Sequence, residues 1–134
     1  MPVRALGSAA ALFIALGLTA AAAAQPAKGA AANGEVLFRQ NCAACHQAAG
    51  QGIRGAFPAL AGNAFVQGNP RPVAAVLLNG RGSMPNFRGN LSNEQIAAVL
   101  TFVRSAWGNH APPVTAATVA NLQGSSVRPR GSTP

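Results

Sequence analysis

The 134-residue chain has no tyrosine, one tryptophan, one lysine (Lys28) and only two acids, Glu35 and Glu94. Few large aromatics mean that a core built from this chain alone is thin, so the domain needs something else to pack around. Few acids leave a formal net charge of +8 at pH 7. Such a surface attracts acidic proteins, anionic lipid or nucleic acid. Nucleic acid is excluded here, because the arginines are dispersed and no DNA-reading motif is present. After residue 24 no apolar run is long enough to span a bilayer. The chain has two cysteines, two histidines and two methionines, so any metal site draws on a short inventory.

What is present begins with a leader. Arg4 supplies a positive start, Ala5 to Ala24 is uncharged, and the bulky part is confined to Leu12–Leu18. Ala22-Ala23-Ala24 is a small-residue cleavage site, with Gln25 as the mature start. This is the layout of a secretory signal peptide. The competing reading is an uncleaved anchor, which the abundance of alanine disfavours. Residues 1–24 are therefore expected to be removed and the mature protein to be periplasmic. What remains is the size of one small domain.

Along the mature chain, 25–32 is Ala-rich and is expected to be a flexible lead-in. Asn33 then caps a helix running to about Asn41, with Glu35 in its first turn. Gly34, Leu37, Phe38 and Asn41 fall near one stripe. Residues 47–69 are glycine-rich and predict a loop with a short helical turn near Asn63–Val66. "NPRPVAAVLLNG" predicts a short helix with an Asn-Pro start and an Asn79-Gly80 stop. "LSNEQIAAVLTFVRSAWGN" carries a capping box in Ser92 and Gln95. Its apolar face is Ile96, Val99, Leu100, Val103 and Trp107, and Gly108 ends it. Residues 111–134 predict a strap and a disordered Pro/Ser/Thr-rich tail. The fold class is all-α, with three or more short helices and long loops over residues 33–110. Loops of that length in a compact domain wrap something.

The chemistry sits in "NCAACHQ", residues 41–47. Structural zinc needs four closed ligands, and His110 lies far from Cys42, Cys45 and His46 in sequence. A redox dithiol belongs at the start of a helix after a strand, and no strand is evident. A disulfide between cysteines this close closes too small a loop to constrain much. Covalent haem remains: two thioether bonds from Cys42 and Cys45 to one porphyrin, with His46 supplying an axial nitrogen to iron. Haem also provides the missing apolar bulk, gives the loops an object to wrap, and is attached outside the cytoplasm. For a sixth ligand the candidates are Met84, in the Gly/Pro-containing loop "GSMPNF", and His110; an open site is the third possibility. A Met/His pair is an established haem ligation, and Met84 lies off any apolar helix face, so it is favoured over a gap-filling role.

On these residues the chain resembles the class I, monohaem cytochrome c family of bacterial periplasmic type, from about Asn33 to Asn109. Gly34 and Phe38 match positions on that family's first helix. Pro58 and Leu60 match its Pro-x-Leu after the haem histidine, Met84 its axial-methionine loop, and Val99 and Phe102 its last helix. The resemblance implies a small cytochrome c fold in which Gly34 lets first and last helices cross closely. It also implies that the Pro58 carbonyl accepts a hydrogen bond from His46 Nδ1, orienting the imidazole. The absence of tyrosine and the lone lysine depart from the mitochondrial pattern. Arg54, Arg71, Arg81 and Arg88, in the haem-side loops, are candidate docking residues as well as ordinary solvated arginines; Arg81 is alternatively a partner for a haem propionate.

The function expected is a one-electron carrier and not an enzyme, passing electrons between periplasmic or membrane redox partners with acidic faces. The alternative is a dedicated cytochrome subunit of a dehydrogenase or oxidase complex. Membrane contact is expected only through such a complex or an uncleaved leader, and the state is a monomer or a hetero-complex subunit. Chain exported by a host with haem-attachment machinery should show visible absorption of c-type haem; a zinc- or disulfide-stapled module would be colourless.

Overall fold

Residues 27–125 are described by the computed structural model; the leader, 1–24, lies outside them. Six helices follow in order: α1 Ala27–Asn41, α2 Ala43–His46, α3 Ala64–Gln67, α4 Pro70–Asn79, α5 Asn93–Ser105 and α6 Ala116–Ser125. Between them, pairing among the described residues is limited to isolated bridges such as Ile53–Phe57 and Arg81–Met84. The fold is thus mainly helical, as expected. None of the described helices is long and apolar enough to cross a membrane.

Local chemistry explains most boundaries. Asn63 caps α3, its side chain accepting from the Phe65 and Val66 amides, and Asn69 caps α4 ahead of Pro70. The Ser92–Gln95 capping box opens α5 from both directions. Three expectations need correction. The lead-in is helical where it is described: α1 starts at Ala27, and Asn33 lies inside it. Alanine has the highest helix propensity, and a run of it carries the helix upstream past a weak cap. The last long helix stops at Ser105, short of Trp107. Trp107 takes a positive φ of 54° and leaves the helix to pack against Phe38 (tilted) and Phe102 (edge-on), at centroid distances of 4.9 and 5.2 Å. The domain also does not end at residue 110. The strap 111–115 leads into α6, which packs on α4 and α5 and buries Val119. The last part of the expected tail, 126–134, lies outside the described residues.

The core joins Phe38 of α1, Val66 of α3, Leu78 of α4, and Ile96 and Leu100 of α5. α1 and α5 form the most extensive helix pair. They meet at Gly34, where an added Cβ would overlap the Ala98 carbonyl. That carbonyl belongs to helix backbone and has nowhere to go. Gly34→Ala is expected to cost about 3 kcal/mol by overpacking, against a helix-propensity gain of about 1 kcal/mol. The net loss of about 2 kcal/mol should appear as a lower urea midpoint with an unchanged m-value.

Candidate functional site

The cysteine motif follows directly from α1. The Cys42 amide donates to the Phe38 carbonyl at 2.8 Å and the His46 amide to the Cys42 carbonyl at 2.9 Å, so the chain turns from α1 into the single turn of α2. This places Cys42, Cys45 and His46 along one side of a cleft of about 430 Å³. The cleft is walled by apolar side chains from four further elements, among them Phe38, Leu60, Val73, Leu77, Phe87 and Leu100, and it also takes in Met84. Met84 arrives on a loop that leaves α4 at Gly80, whose φ of 75° suits glycine. A Cβ at Gly80 would stand 2.6 Å from the Met84 carbonyl.

His46 is buried, and its Nδ1 lies 2.9 Å from the Pro58 carbonyl oxygen. A carbonyl only accepts, so Nδ1 carries the proton and Nε2 keeps its lone pair. Gly52 N–H donates to the His46 carbonyl at 2.9 Å, tying the following loop to the motif. Cys42 and Cys45 form no disulfide with each other. Burial, and then the neighbouring Cys45 thiolate charge, push the Cys42 thiol up to about 11. Zinc fails on donors: among the described residues no group of three His, Cys, Asp or Glu comes together.

The fold therefore brings Cys42, Cys45, His46, Pro58 and Met84 to one cleft. His110 is not among its lining residues; it is exposed, with its backbone amide donating to Gln67 Oε1 at 3.1 Å. Arg81 lines the cleft, its guanidinium 5.7 Å from the centre of the Phe65 ring. Arg54 and Arg71 are exposed, and Arg88 donates to Asn79 Oδ1 at 3.2 Å.

Residues 29–103 match the family model described as cytochrome C oxidase, cbb3-type, subunit III. The chain is 36% identical over 122 residues to a cytochrome c-552 of Thermus thermophilus, covering 75% of this chain and 81% of the relative. It is 44% identical over 77 residues to cytochrome c6 of Leptolyngbya boryana, covering 55% of this chain and 88% of the relative. The chain belongs to the class I, monohaem cytochrome c family. It is also 38% identical over 103 residues to the cytochrome c subunit of a quinone alcohol dehydrogenase from Gluconacetobacter polyoxogenes. That match covers 67% of this chain but only 22% of the relative's length.

The cofactor of this cytochrome is accordingly one covalently bound c-type haem with its iron, and Cys42-Ala43-Ala44-Cys45-His46 is consistent with the attachment motif. The residues present fit such a group. Two thiols, a nitrogen lone pair and a thioether sulfur line a mainly apolar cleft, with Asn41, Asn63, Arg81 and Ser83 as its other polar residues.

Two residues that hold the site together were not singled out from sequence. Arg104 is 2% exposed, and its guanidinium donates to the carbonyls of Val66, Gly68 and Pro112. Its signal was its place on α5, one turn beyond Leu100 and so on the apolar stripe. Burial pulls its pKa below the usual arginine value, but the three acceptors match the fork of donors. Asn109 is fully buried. Its amide donates to the Leu60 and Val103 carbonyls, and its oxygen accepts from the Gly62 amide. Nothing local marks it, because its partners Leu60 and Gly62 lie far upstream. Asn109→Ala leaves these groups unpaired near the Pro58 loop. It should lower unfolding free energy by about 2–3 kcal/mol in chemical denaturation.

Proposed function

We propose that this cytochrome is a one-electron carrier in which Cys42 and Cys45 would hold the haem covalently, His46 and Met84 would supply its iron ligands, and the Pro58 carbonyl orients His46. One observation carries the reading: Cys42, Cys45, His46 and Met84 line a single apolar cleft. When bound, haem iron supplies a one-electron ferric/ferrous couple.

The protein's own residues set the terms of that couple. The His46–Pro58 bond fixes the imidazole tautomer and leaves Nε2 aimed for coordination; donation from Nδ1–H also raises its basicity. Met84 provides a soft thioether, which favours the reduced iron and raises the potential. With His46 and Met84 both given to the iron, the chain would leave no ligand position there for a substrate. The apolar lining from Phe38, Leu77 and Leu100 excludes water, so little solvent reorganises when charge changes.

Partner recognition is electrostatic in this reading. The chain carries a formal charge of +8; Arg54, Arg71 and Arg81 are exposed and Arg88 is half-buried, and Arg81 lines the cleft. Of the two acids, Glu35 is already paired with Arg39, and Glu94 sits in the first turn of α5. An acidic face on the donor or acceptor is the natural complement. The site of action is the periplasm, which agrees with the leader-like start. A second reading, a fixed cytochrome subunit of a dehydrogenase or oxidase, is favoured by the named alcohol dehydrogenase relative. The segment up to Ser125 packs on α4 and α5 and belongs to the fold. Co-purification with a larger catalytic chain would separate the two readings.

The Met84→Ala protein should keep its covalent haem but lose the weak far-red sulfur-to-iron band and show a lower potential. A parent protein without that band, or one that binds carbon monoxide readily when reduced, would defeat the carrier reading. Electron-transfer rates with an acidic partner should fall as salt rises.

A further inference from the structure

We infer that the C-terminal strap and α6 brace Met84, acting through α4, with Val119 as the positioning residue. The inference rests on the proposed ligation by Met84. The loop carrying Met84 hangs from α4 at both ends. Gly80 N–H donates to the Val76 carbonyl at 2.8 Å, and after the loop Phe87 N–H returns to the Leu77 carbonyl at 2.8 Å. Within it, the Arg81 and Met84 backbones exchange hydrogen bonds at 3.2 and 3.0 Å. A loop closed on itself and fastened twice to one helix moves with that helix.

What holds α4 is then what holds Met84. Val73, Val76 and Leu77 face the cleft, while Ala74 and Leu78 are buried without lining it. α4 packs on α3, α5 and α6. The strap and α6 in turn are fastened to α5, the strap through Thr101 and Arg104 and α6 through Gln123. Thr101 Oγ1 donates to the Val114 carbonyl at 3.2 Å and accepts from the Val114 amide at 3.0 Å. Arg104 Nε donates to the Pro112 carbonyl at 3.1 Å, and Gln123 Nε2 to Asn93 Oδ1 at 2.6 Å. Val119 is 0% exposed and belongs to the same apolar cluster as Leu77 and Leu78. α6 is thus locked to α5 and pressed against α4. The family model's match ends at residue 103, so the brace lies beyond the matched segment. Thinning the contact at Val119 gives α4 room to tilt and lets Met84 leave the iron more often.

The test uses the full-length ferric holoprotein with imidazole as a competing ligand. Its apparent affinity rises with the fraction of molecules whose sixth position is vacant. Val119→Ala should raise imidazole affinity about tenfold, the scale expected for deleting buried methyl groups. The far-red band should weaken, the haem should stay covalently attached, and the Phe87 amide should exchange faster with deuterium. Gln123→Ala, which removes its bond to Asn93 and leaves the apolar core intact, should move the same readouts about threefold; it decides the matter if Val119→Ala does not fold. A merely structural α6 would lower the unfolding midpoint while leaving imidazole affinity and Phe87 exchange at parent values, and that result overturns the inference. A parent protein that lacks the far-red band overturns the Met84 ligation, and the brace with it. A parent with the band and unresponsive variants overturns the brace alone.

Discussion

An apolar cleft that the protein's own side chains do not fill is the constraint on which the rest of the structure depends. Its walls draw on α1, α3, α4 and α5 as well as the motif turn and the Met84 loop. Phe38, Val99, Leu100 and Val103 serve both the helix core and the cleft lining. Interiors are close-packed, and a wall without a partner forfeits dispersion contacts on one side. A haem in this place supplies those contacts. That explains how a chain with so few large aromatics supports six helices and glycine-rich loops: the missing bulk comes from the cofactor.

Loops wrapped round a cofactor leave backbone polar groups without helix or sheet partners, and those groups need other partners when buried. Arg104 and Asn109 meet that need for the segments on either side of α3. Arg104 gathers Val66, Gly68 and Pro112, while Asn109 gathers Leu60, Gly62 and Val103. Each bonds chain segments far apart in sequence. Among the described residues no buried side-chain polar atom lacks a hydrogen-bond partner. The His46–Pro58 bond works in the same way. It satisfies a ring nitrogen in the apolar wall and at the same time sets which nitrogen faces the cleft. Stability and ligand geometry therefore share their hydrogen bonds, so changes in the loops are felt at the site.

Some of the architecture was legible residue by residue. Ser92 and Gln95 announced α5, Asn69-Pro70 announced α4, and the Pro58 carbonyl is in place beside His46. Those signals are local, or follow from a family spacing. The start of α1 is hard to see locally, because cap-like Asn33 competes with the helix-forming strength of the alanines before it. α6 was missed because Ala116–Ser125 is only weakly amphipathic. Its burial comes from Val114 and Val119 meeting α4 and α5, which local pattern does not report.

By itself, the sequence determined the chemistry: two thiols and a histidine at haem-attachment spacing, one internal methionine, and a basic chain nearly free of acid. These are matters of residue identity and short-range spacing, and they hold whatever the packing. Only the tertiary structure decided which donors meet. It brought Met84 to the cleft and left His110 outside, and it turned an arginine and an asparagine into ties between distant loops. It also folded the C-terminal segment back onto α4. The physical reason is that burial and hydrogen-bond partnership belong to the packed chain as a whole. They emerge once loops, helices and cofactor cleft compete for the same space, and no window of neighbouring residues contains them.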